Sequence, residues 1–71
     1  MALYITIQFG KRVRDAREKR GFSQERLGEL AGMHRTYIGM IERGEKNITL
    51  GNIAKLAKAL DVRVRDLVDF A

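Results

Sequence analysis

Apolar positions along this chain recur at helical rather than strand spacing, and the pattern breaks at glycines. Phe9, Val13 and Ala16 share one face of a helix predicted from about Ile7 to Arg20, with Gly21 as its stop. Leu27, Leu30 and Ala31 form the expected buried stripe of a second helix, capped by Ser23 and running to about Ala31. Ile38 and Ile41 mark the inner face of a third, roughly Arg35 to Arg43, closed by Gly44. Thr49 caps a fourth, in which Leu50, Ile53, Leu56, Ala57 and Leu60 repeat at helical spacing. The pattern breaks at Asp61–Val62, and Val64–Phe70 forms a last short helix with Leu67 inward. Residues 1–8 differ, because Leu3, Ile5 and Ile7 alternate with Tyr4 and Thr6. They read as a strand, an extended arm, or the lead-in to the first helix with Thr6 as its N-cap. The lead-in is favoured, since a lone strand has no neighbour to pair with. The expectation is an all-α, five-helix single domain over residues 1–71.

Residues 23–43 carry the functional signal. Two short helices joined at one glycine, Gly32, dock their apolar stripes at a steep angle, which is a helix-turn-helix. The second helix of that motif enters the DNA major groove. At about 100° per residue, burying Ile38 and Ile41 turns Thr36, Gly39, Met40 and Arg43 outward, with Arg35 at the N-terminal tip. Arg35 can pair bidentately with guanine, while Thr36 and Met40 can contact a base or a thymine methyl. Gly39 would let the helix backbone approach closely. Any one of these residues is equally acceptable on a solvent face, but an exposed methionine and glycine suit a groove better than water. Phosphate contacts are expected from Gln24 at the start of helix 2 and from Arg43, Lys46 and Asn47 beyond helix 3. Tyr37 can reach the DNA backbone or pack structurally against helix 2. Arg17 falls on the apolar stripe of helix 1 and Glu42 at the edge of that of helix 3, which suggests a partly buried salt bridge. The alternative is that Arg17 snorkels to solvent.

Charge supports a polyanionic partner. Lys and Arg number 14 against 9 Asp and Glu, a formal net charge of +5. Lys11, Arg12, Arg14, Arg17, Lys19 and Arg20 crowd one stretch of helix 1. Such charge can also serve solubility alone. Cysteine is absent, consistent with a reducing cytosol, and a cytoplasmic location is expected. Residues 1–9 lack the basic and long apolar regions of a signal peptide, and no stretch approaches a membrane span.

From Phe9 to Leu67 the sequence resembles the Cro/repressor helix-turn-helix family of the lambda and 434 phage repressors. Gln24, Gly28, Gly32, Ile38 and Ile41 occupy the matching positions. Alanine is usual where this chain has Gly28, a change expected to cost only helix propensity. The resemblance implies a lambda-repressor-like domain in which Arg35, Thr36 and Met40 read bases and Arg17 pairs with Glu42. The run from His34 to Val62 looks most like the controller proteins of restriction–modification systems, small homodimers that regulate their own operon. A homodimer is therefore implied, with Val64, Val68 and Phe70 as interface candidates within a dimerisation region of about residues 50–71. Two recognition helices about 34 Å apart would demand a roughly palindromic double-stranded DNA site.

Other classes find less support. His34 is the single histidine and more plausibly caps helix 3 than catalyses, and no metal-ligand spacing or phosphate loop occurs. No cofactor, small-molecule ligand or enzymatic activity is expected. The alternative is an antitoxin-type or other small phage or plasmid repressor with a protein partner, and an antitoxin usually needs an extra tail or domain. A membrane-surface role for helix 1 would compete with the core for its apolar face.

Overall fold

A computed structural model describes residues 3–70, so expectations at Met1, Ala2 and Ala71 lie outside the described residues. The order is α1 (Tyr4–Lys19), α2 (Gln24–Ala31), α3 (Arg35–Glu42), α4 (Leu50–Leu60) and α5 (Val64–Val68), with no strand among the described residues. Helix α1 begins three residues before the expected start, so the alternating residues Leu3–Ile7 are neither strand nor arm. Leu3, not Thr6, is the N-cap. The Thr6 hydroxyl accepts from the Leu3 N–H at 3.1 Å and lies 2.8 Å from the carbonyl oxygens of both Leu3 and Gly44. It therefore ties the start of α1 to the end of α3, a use of threonine that only the tertiary fold reveals.

Capping elsewhere follows local chemistry. Ser23 accepts from the Arg26 N–H at 2.9 Å, and Thr49 accepts from the Asn52 N–H at 3.2 Å. Gly32 closes α2 in the left-handed conformation at φ 71°, where a side chain would be strained. Asp61 ends α4 at φ 56°, the left-handed region that aspartate tolerates better than most residues. That bend sends α5 back across α1. Arg12 fixes the return, donating to the carbonyls of Asp66 (3.3 Å) and Asp69 and lying over the Phe70 ring.

One apolar cluster joins all five helices, through Phe9 and Val13, Leu27 and Ala31, Ile38 and Ile41, Leu56, Ala57 and Leu60, and Leu67. Of the other expected members, Ala16 and Ile53 pack half-buried against this cluster and two are exposed. Leu30 is 43% exposed and Leu50 77% exposed, so each stripe is narrower than its periodicity suggested. Helix α2 presents Leu27, Gly28 and Ala31 inward, which leaves Leu30 off that face. Leu50 is the first residue of α4 and stands beyond the reach of the core.

The basic run of helix 1 is largely engaged within the protein. Arg12 holds α5, Arg14 pairs with Glu18, Arg17 with Glu42, and Arg20 approaches Asp61 at 3.8 Å. The charge density of α1 is thus weaker evidence for a polyanion than the sequence suggested.

Candidate nucleic-acid interface

Steric contact sets the angle between α2 and α3. A Cβ added at Gly28 would lie 2.4 Å from the Met33 carbonyl oxygen, so the turn backbone crosses directly over α2. The Met33 N–H donates to the Gly28 carbonyl at 2.8 Å and locks this approach. Gly28 is therefore a packing requirement of this turn, not the mere loss of helix propensity expected from the sequence. His34 caps α3, its Nδ1 accepting from the Thr36 N–H at 3.0 Å.

Beneath α3 lies a largely buried ion pair. Arg17 Nε donates to Glu42 Oε2 at 2.7 Å and its NH2 to Glu42 Oε1 at 3.1 Å. Its NH1 donates to the Phe22 carbonyl at 2.8 Å, so every guanidinium nitrogen is used and Arg17 does not snorkel to solvent. The side chains are 13% and 4% exposed. The hydrogen bond to Glu42 holds the Arg17 guanidinium above its ordinary pKa, against the lowering effect of burial. Gln24 joins this pair, donating an amide N–H to Glu42 Oε1 at 3.1 Å.

On the outer face Arg35 and Thr36 are exposed at the tip and Arg43 at the far end, while Met40 is half-buried. Gly39 is buried rather than open. A Cβ built there would lie 3.1 Å from Arg43 NH1 and 3.5 Å from Gln24 Oε1, so those two side chains cover the gap. Its service is to let Gln24 and Arg43 cross α3, not to expose bare backbone. The Tyr37 hydroxyl accepts from Asn52 Nδ2 of α4 at 3.4 Å, and the residue packs against the buried apolar cluster. Lys46 and Asn47 lie in the α3–α4 loop around a shallow recess with Leu3 and Thr6.

Two carboxylates at this surface escaped the sequence reading. Glu25 accepts from Arg35 NH1 at 3.1 Å. Glu45 accepts from Arg43 Nε at 2.7 Å and NH2 at 3.3 Å. The hydrogen bond from Arg43 pulls the Glu45 carboxyl below the usual carboxylate range. Glu45 was detectable as an opposite charge two residues from Arg43. Glu25 had no such sign, since ten residues separate it from Arg35.

Comparison with known proteins agrees with this architecture. The helix-turn-helix family model matches residues 13–67. The chain is 49% identical to control protein C.BamHI of Bacillus amyloliquefaciens, over 93% of this chain and 83% of that one. It superposes on the restriction–modification controller protein C.AhdI of Aeromonas hydrophila with TM-score 0.85 at 48% identity, covering 87% of this chain and 94% of that one. The biofilm regulator SinR, solved in complex with DNA, superposes with TM-score 0.82 at 34% identity, covering 86% and 98%. These relatives are regulators, not enzymes, and the chain belongs to the helix-turn-helix family of DNA-binding transcription regulators, of the restriction–modification controller type.

Proposed function

We propose that residues 1–71 act as one unit that binds a roughly palindromic double-stranded operator as a homodimer and regulates its own restriction–modification operon in the cytoplasm. The observation that carries this reading is α3 itself, braced from beneath by Arg17 and Glu42 with Arg35 and Thr36 exposed at its N-terminal tip. Arg35, Thr36 and Met40 read bases. Gln24 retains a second amide N–H for a phosphate oxygen, Tyr37 retains its hydroxyl proton, and Arg43 keeps NH1 over Gly39. Lys46 and Asn47 extend this set along the backbone.

Size favours two copies. The molecule spans 26 × 23 × 21 Å, less than the ~34 Å between successive major-groove faces, so one chain presents one recognition helix to one half-site. Val68, 40% exposed, and half-buried Phe70 line an apolar groove that includes Ile5 and Ile53, and Val64, 37% exposed, lies one helical turn before Val68 on α5. This is the surface assigned to the second copy. Selection from a random-sequence duplex pool tests the reading. Enrichment of inverted half-sites one helical turn apart is expected, and enrichment of a single asymmetric half-site would overturn the dimeric operator.

A further inference from the structure

The tip of α3 is already partnered in a way that bears on how it reads. Arg35 NH1 donates to Glu25 Oε2 at 3.1 Å, with both side chains about two-thirds exposed, at 65% and 64%. One nitrogen and one carboxylate oxygen make the contact, so the N–H groups on Nε and NH2 remain open. A guanidinium held this way can still place two donors on guanine O6 and N7. The pair at the other end of α3 is different. Glu45 takes both Nε and NH2 of Arg43, closing the edge that a base would need. Glu25 also stands on a fixed support. It lies in the first turn of α2, which Ser23 caps, and α2 is locked to α3 by the Gly28–Met33 crossing.

We infer that Glu25 is the positioning residue for base recognition by Arg35, holding the guanidinium by NH1 so that its open edge faces the bases. The inference rests on Arg35 being a base reader. A long arginine side chain without such a brace loses rotamer freedom when it pairs with guanine and is free to seize any nearby phosphate. The brace lowers the first cost and opposes the second. It acts on discrimination and not on folding, because both partners are exposed.

The test measures affinity for a duplex recovered by random-site selection and for a shuffled duplex of the same composition, across a range of salt. Glu25→Ala is expected to lower the ratio of the two affinities about three- to tenfold. Binding to the shuffled duplex should tighten and its salt dependence steepen by about one counterion, as the freed guanidinium takes a phosphate. Glu25→Gln, which keeps an acceptor oxygen, recovers part of the ratio. In an Arg35→Ala background Glu25→Ala should leave the ratio unchanged. An unchanged ratio with Arg35 present overturns the inference. So does tighter operator binding by Glu25→Ala, which would make the carboxylate a brake, or an equal loss without Arg35. If Arg35→Ala itself leaves base preference intact, the base-reading role fails first and separately.

Discussion

A single guanidinium braces the recognition helix. Arg17 gives two nitrogens to Glu42 and the third to the Phe22 carbonyl, an arrangement that the point charge of a lysine cannot reproduce. Removing Arg17 strands the buried Glu42 carboxylate beneath α3. Arg17→Ala is therefore expected to cost about 3–5 kcal/mol, which lowers the Tm by more than ~10 °C in a domain of this size. An unshifted thermal transition would contradict the brace. Because the Arg17 pKa is raised, its contribution is present throughout the pH range below the ordinary arginine value and is lost only above it. Glu45 shows the opposite sign. Its carboxyl is depressed by Arg43, so the pair holds above the usual carboxylate range and breaks as pH falls through the lowered value. An NMR titration of the Glu45 carboxyl should show a midpoint below that of a free glutamate, and Arg43→Ala should raise it.

At the scale of the element, close backbone crossings decide which glycines can change. A Cβ at Gly10 would lie 2.4 Å from the Ile41 carbonyl oxygen and 2.6 Å from that of Glu42, where α1 crosses the end of α3. Gly10→Ala is expected to destabilise the fold by about 1–3 kcal/mol despite alanine's better helix propensity. Gly51, in the first turn of α4, has nothing within 4 Å of an added Cβ. Gly51→Ala should therefore stabilise, by about 0.5–1 kcal/mol. Chemical denaturation of the two variants checks both signs. Periodicity does not separate the two positions, because it records which residues share a helix face and not how near the next backbone passes.

For the whole molecule, the exposed apolar surface beside α5 is the feature with most at stake. Val68→Asp places a charge at the rim of the apolar groove without touching the buried cluster. Sedimentation should then report a monomer with helical content retained, and operator affinity should collapse because each monomer engages only one half-site. A dimer that survives this substitution would move the interface elsewhere, to Leu50 or Tyr4 among the other exposed apolar residues.

The sequence by itself determined the five helices, save the start of α1 at Tyr4 and the end of α5 at Val68, together with the Ser23, His34 and Thr49 caps, the turn at Gly32 and the tip residues Arg35 and Thr36. Each depends on chemistry within a few residues or on a 3.6-residue period, and both are written locally. Facing stripes also disclosed Arg17 and Glu42, since a charge on an apolar face needs a partner of opposite sign. Tertiary structure decided the rest. It set the angle at which α3 leaves α2, the cover that Gln24 and Arg43 place over Gly39, and the link from Thr6 to Gly44. It also brought Glu25 to Arg35 and gave Arg12, Arg14 and Arg17 of α1 partners within the chain. These depend on distances between segments far apart in the chain, which no local pattern encodes.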